Sequence, residues 1–189
     1  QMEARFSNED SMAFMDVVVT EALSEDGEDL LRKVRSVMDR LPPREADFIE
    51  MYYFRNIKQT DIATIFGVSQ PTVCYRLQRA ASRIQFLLKL PEFTPEEMQE
   101  ALASLLEDPI DVQVMLHMYT STCQSEVAKK LGVSQGFVRH RFLRTISRLR
   151  QYEHMATYVE AFDMITHSLN ILREVSRPSL DAKIIRIMA

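Results

Sequence analysis

Residues 59–86 read QTDIATIFGVSQPTVCYRLQRAASRIQF, and residues 124–151 read QSEVAKKLGVSQGFVRHRFLRTISRLRQ. They align without a gap at an offset of 65, with 11 of 28 positions identical. The shared residues include Ala63/Ala128, Gly67/Gly132, Ser69/Ser134, Gln70/Gln135, Val73/Val138, Arg76/Arg141, Arg79/Arg144 and Arg83/Arg148. The spacing has a physical meaning. Ile62, Ala63 and Phe66 turn one apolar face of a short helix inward. Gly67 stands where a residue of positive φ ends that helix cheaply. Val68 plugs the gap below the turn, Ser69 caps a second helix, and Val73, Leu77 and Ile84 give it a buried stripe. Ala63 is small enough to let the two helices cross closely. This is helix-turn-helix grammar, written twice. The predicted fold is all-α: two tandem helix-turn-helix units joined by an acidic helical connector, with additional N- and C-terminal helices.

The flanks also read as helix. Residues 11–23 form one, broken near Asp26-Gly27, and residues 28–41 form the next, with Leu30, Leu31, Val34, Val37, Met38 and Leu41 at helical spacing. Thr94, Pro95 and Glu97 combine an N-cap, a first-turn Pro and a capping-box Glu, predicting a helix to Leu106. Asp108-Pro109 opens another in the same way. Tyr158, Ala161, Phe162, Ile165, Leu169 and Leu172 make an apolar stripe that suits either a helix folded back on the bundle or a homodimer or partner surface. A last short helix is predicted over residues 182–188. The segments are then residues 1–41 (acidic helices), 42–90 (first unit), 91–108 (connector), 109–152 (second unit) and 153–189 (C-terminal helices).

Charge follows the same segmentation. The chain carries 23 Lys+Arg against 27 Asp+Glu, net −4, over 189 residues. A protein that coats nucleic acid by bulk charge would not average to that value. The two units are nonetheless basic, at +3 and +5, while residues 1–41 and 91–108 stand at −5 and −6. Only 4 Gly and 7 Pro punctuate the chain, which favours long helices. Cys74 and Cys123 are too few for a disulfide framework or a four-ligand zinc site, and no metal or cofactor is expected. The apolar runs fall far short of the ~20 residues of a membrane span. Glu3, Glu9 and Asp10 sit where a signal peptide would be basic. Met2 reads as the natural start, and a cytoplasmic location is expected.

In a helix-turn-helix unit the second helix enters the major groove by its first turns. The first unit presents Gln70, Thr72, Tyr75, Arg76 and Arg79 there, with Lys58 ahead of the turn. The second presents Gln135, Arg139, His140, Arg141 and Arg144, with Lys129 and Lys130 ahead of it. Arg and Gln suit bidentate base recognition or phosphate contact. Arg83 and Arg148 lie further along, compatible with solvation or ion pairing. The histidines His117, His140, His154 and His167 are isolated. With no Gly-rich phosphate loop and no Ser/His/Asp grammar, an enzyme is not expected.

Upstream of the first unit stand Leu41-Pro42-Pro43-Arg44-Glu45 and an apolar segment from Phe48 to Phe54; downstream stand Arg79-Ala80-Ala81-Ser82-Arg83-Ile84. With the acidic-Ile-Ala triplet at Asp61, Gly67-Val68-Ser69 and Thr72-Val73, residues 41–88 resemble region 4 of bacterial sigma factors. Residues 110–151 resemble a diverged second copy without the Leu-Pro-x-Arg-Glu start. The LuxR-type helix-turn-helix is similar. The resemblance implies a module that reads the −35 promoter element of double-stranded DNA and docks on the β subunit of RNA polymerase. It also implies that the residue after the motif Val contacts a base. That residue is Cys74 in the first unit and Arg139 in the second, so the second unit is expected to read sequence better and the first to serve docking or backbone contact. Nothing resembles sigma region 2.

Three functions are compatible with these features. One is a promoter-binding transcription regulator or sigma-like factor, on a phage, plasmid or mobile element. Another is a phage small terminase-type packaging protein. The third is a polymerase-binding modulator that does not bind DNA, its acidic N-terminal part masking or mimicking DNA.

Overall fold

Gly67 and Gly132 both turn the backbone into the left-handed region, with φ of 64° and 67°. In the computed structural model, which describes residues 8–22 and 24–175, each closes the same pair of hydrogen bonds. Val68 N–H donates to Ala63 O at 3.0 Å and Gly67 N–H to Thr64 O at 3.3 Å; Val133 donates to Ala128 O and Gly132 to Lys129 O at the same distances. These are Schellman closures, which satisfy carbonyls that the helix end leaves open. A Cβ at either glycine would meet nothing within 4 Å, so the cost of a side chain there is conformational alone. Gly67→Ala and Gly132→Ala are each expected to lose about 1–2 kcal/mol in urea unfolding.

Ten α-helices occur among the described residues, and no strand does. They are α1 (Asn8–Thr20), α2 (Glu25–Val37), α3 (Pro43–Ile49), α4 (Gln59–Phe66), α5 (Gln70–Lys89), α6 (Pro95–Ala103), α7 (Pro109–Ser121), α8 (Gln124–Leu131), α9 (Gln135–Leu149) and α10 (Ala156–Val175). Ser69 Oγ accepts from Thr72 N–H and opens α5; Ser134 Oγ accepts from Phe137 N–H and opens α9. The predicted stripes point inward. Val73, Leu77 and Ile84 of α5 are fully buried, as are Val138 and Leu149 of α9. The all-α expectation holds, and the helix, left-handed glycine and serine-capped helix are formed at both places.

The first layer around α5 is α1, α2, α3 and α4. Ala80 and Ala81 of α5 are fully buried and leave room for α1, whose Met15 and Val18 are also fully buried. The break expected at Asp26-Gly27 lies earlier. Ser24 caps α2, accepting from Gly27 N–H at 3.1 Å, so Gly27 sits inside the first turn. A Cβ there would lie 1.7 Å from Glu21 O. That glycine permits a close backbone approach and does not end a helix. The helix expected to reach Leu41 stops at Val37 and tightens into a 3₁₀ turn over Met38–Arg40. After α3 the chain widens into a π turn, Glu50–Phe54, and Asn56 takes a φ of 53°.

The connector is pinned down. Helix α6 ends at Ala103, short of Leu106, and Thr94 caps it without a side-chain hydrogen bond, so the expected capping box is not formed. Met98, Leu102 and Leu106 still face the core. The Tyr119 hydroxyl donates to Pro91 O at 2.7 Å and accepts from Phe93 N–H at 2.9 Å, while the Phe93 ring lies 4.6 Å from that of Tyr158. The C-terminal stripe is used inside the chain. Ala161, Phe162 and Ile165 of α10 are fully buried, with Phe162 edge-on to Phe142 of α9 at 5.8 Å. Of the two readings of that stripe, the folded-back helix is the observed one for these residues, and this part of the apolar face does not stand open for a homodimer. Leu172 lies outside the residues whose side chains are described. Residues 176–178 and the last helix expected over 182–188 also lie outside the described residues.

Two guanidinium groups, Arg40 just ahead of the first unit and Arg83 within it, reach the end of α7. Arg40 donates to Tyr119 O and Thr120 O, and Arg83 Nη1 donates to Thr122 O at 3.1 Å. Cations suit the carbonyl end of a helix because the peptide dipoles sum to negative charge there. Thr122 holds a φ of 52°, a strained conformation for a β-branched residue, and the Arg83 hydrogen bond fixes its carbonyl.

Candidate nucleic-acid interface

The first turns of α5 and the segment ahead of α4 form one polar face. Lys58 and Gln70 are exposed. Gln70 Nε2 donates to Gln59 Oε1 at 2.7 Å, which ties the start of α5 to the start of α4. Thr72 is occupied by the cap, its hydroxyl 2.8 Å from Ser69 Oγ. Tyr75 and Arg76 are half-buried on the following turn. Arg76 rests its guanidinium 5.8 Å from the Phe48 ring and forms no ion pair among the described residues. Arg79 is engaged within the protein: Nη1 donates to the Tyr75 hydroxyl at 3.2 Å, and Nε lies 3.9 Å from Glu45. Arg83 is inside the protein, 2.9 Å from Glu45 with its side chain 2 % exposed. Between solvation and ion pairing, Arg83 has taken the second. Arg44, which sequence reasoning left out of the site, is exposed and lies over the Phe66 ring at 4.4 Å, beside the turn.

The second face is built alike and charged differently. Gln135 and His140 are exposed and Arg139 is half-buried. Lys130 is exposed beside Lys129, which sits 3.7 Å from Glu126. Arg141 is held by two carboxylates, Asp108 at 2.9 Å and Asp111 at 3.1 Å; Arg144 reaches Asp111 at 3.2 Å; Arg148 approaches Glu107 at 4.0 Å. The Ile110 N–H, and then Arg141, hold the Asp108 carboxyl below the usual carboxylate range. Its contribution to the α7 cap and to Arg141 therefore persists through ordinary acidic pH. It is lost only as pH falls through that lowered value. The same two carboxylates raise the Arg141 guanidinium above its ordinary pKa.

These partners repeat too, with a shift. Pro43 and Glu45 open α3; Pro109 and Asp111 open α7. Each acid is buried and grips arginines of the second helix behind it. Glu45 and Asp111 stand 66 residues apart, whereas the glycines stand 65 apart. The extra residue breaks an ungapped comparison, which is why the pairing was missed.

Among the described residues no group of His, Cys, Asp or Glu is placed to hold a metal ion, and no helix is long and apolar enough to cross a membrane. The geometry thus offers two exposed Gln- and Arg-bearing helix starts behind left-handed glycine turns. Residues 37–85 match the family Sigma-70, region 4, a DNA-binding helix-turn-helix. No curated protein and no solved structure matches the chain.

Proposed function

We propose that this protein is a sequence-specific, DNA-binding regulator of transcription, or a sigma-like factor, that acts at promoters without catalytic chemistry, cofactor or metal. Helix α5 enters the major groove with Gln70 and Arg76; α9 does so with Gln135, Arg139 and His140. The observation that carries the reading is the region 4 match over residues 37–85 on a turn with the exposed Gln70 just past it, followed by Arg76, which forms no ion pair among the described residues. The region 4 match also makes bacterial RNA polymerase the expected protein partner, and the cytoplasm the expected place of action.

The test is a pull-down with RNA polymerase core run beside selection of duplexes from a random pool at two salt concentrations. The expected result is polymerase retention and enrichment of one sequence, with affinity that falls as salt rises because bound phosphates release counterions. Ring-shaped oligomers on DNA would favour a packaging protein instead. Tight polymerase binding with no salt-sensitive DNA binding would favour a modulator. Arg139→Ala is expected to weaken the selected complex more than Gln70→Ala, and equal losses would contradict unequal reading by the two units.

A further inference from the structure

We propose that Asp108 and Asp111 determine which arginines of α9 take part in reading DNA, by holding Arg141 and Arg144 against the body of the protein. The proposal rests on the DNA-reading role of α9. Three arginines of that helix, Arg141, Arg144 and Arg148, follow one another along one side, and each faces a carboxylate of residues 107–111. Arg141 occupies the position that Arg76 holds in α5. Among the described residues Arg76 has no such partner, and the residue matching Asp108 in the first unit is Pro42, which carries no charge. Two differences ahead of the second helix thus separate the reading heads: Asp108 caps α7 where Pro42 precedes α3, and Asp111 reaches Arg141 where Glu45 pairs with Arg83 and Arg79. The first presents a guanidinium with no ion pair among the described residues; the second keeps its equivalent paired and presents Gln135, Arg139 and His140.

The electrostatics reinforce the geometry. A DNA phosphate approaching Arg141 meets two carboxylates within 3.1 Å of the same guanidinium nitrogen. It must displace Asp108 or accept a like charge beside it. Asp108 is the accessible member of the pair, its side chain 45 % exposed against 5 % for Asp111. The Asp111–Arg141 contact is nearly closed off, its side chains 5 % and 22 % exposed, so Arg141 stays on the protein in the wild type and Asp108 adds the charge that a phosphate meets. Asp108 is therefore a specificity-determining residue that touches no base itself.

Asp108→Asn separates charge from structure. Asn caps a helix as well as Asp does, so the hydrogen bond from Ile110 N–H survives while the negative charge goes. In the full-length chain, with a random duplex as probe, Asp108→Asn is expected to raise affinity severalfold at low salt. It should also steepen the plot of log affinity against log salt by about one unit, the mark of one added phosphate contact. Arg141→Ala is expected to change wild-type affinity by less than about twofold and to abolish the gain in the Asp108→Asn background, on the usual reading of coupled sites. A circular-dichroism melt of each variant verifies the fold. An Asp108→Asn protein with unchanged affinity and slope would overturn the proposal, as would an Arg141→Ala loss in wild type as large as that of Arg76→Ala. Those results leave the DNA-reading role standing; absence of duplex binding by both wild type and Asp108→Asn would overturn the two together.

Discussion

Arg83→Ala is expected to remove about 3–5 kcal/mol of stability, the range for breaking a buried ion pair from one side. The guanidinium is fully enclosed, and its hydrogen bonds run to Glu45 at 2.9 Å and to Thr122 O at 3.1 Å. Removing it leaves Glu45 buried with Arg79, at 3.9 Å, as its remaining cation among the described residues. It also opens the C-terminal turn of α7, where Thr122 holds its left-handed backbone. The loss is measured by urea unfolding, with an unchanged slope showing that both states keep their compactness. An Arg83→Met, Glu45→Gln pair should regain much of the stability, because it removes both charges of the buried pair together. A loss below about 1 kcal/mol for Arg83→Ala, the scale of an exposed pair, would contradict the buried linkage.

Phe142→Ala is expected to cost about 3–5 kcal/mol, as aromatic truncations in closed cores do. Phe142 is 1 % exposed and meets Phe162 edge-on, so the deletion opens a cavity between α9 and α10. The same experiment separates the two readings of the C-terminal stripe. A helix folded back on its own chain gives an unfolding midpoint independent of protein concentration. A stripe shared between two copies would make the midpoint rise with concentration.

Much of this architecture is readable one residue at a time. Gly67 and Gly132, Ser69 and Ser134, and the Val73, Leu77, Ile84 stripe act locally, through φ, capping and periodicity, and all take the expected conformations. The misreadings are of another kind. Gly27 looks like a breaker until Glu21 O is found where its Cβ would be. Thr94 and Glu97 satisfy the capping-box pattern, yet no side-chain bond forms at Thr94. The stripe on α10 could not be assigned because periodicity shows which face is apolar and not what covers it. For the candidate interface, Gln70, Gln135 and His140 stand exposed as the helix register implies. Which arginines are engaged was hidden, since Arg79, Arg83, Arg141 and Arg144 are set by acids 30 to 38 residues away. Side-chain partners at that separation leave no periodic trace, and the one-residue shift between Glu45 and Asp111 concealed the single repeat that would have exposed them.

The most direct measurement is the affinity of the full-length protein for its best selected duplex, followed by fluorescence anisotropy across a salt series, for wild type and Arg76→Ala. If α5 reads DNA, the wild type binds with a negative salt slope and Arg76→Ala weakens the complex by about 1–3 kcal/mol, either relaxing its sequence preference or flattening the slope by about one unit. An Arg76→Ala protein that binds as the wild type does, with the same preference and slope, would contradict the account.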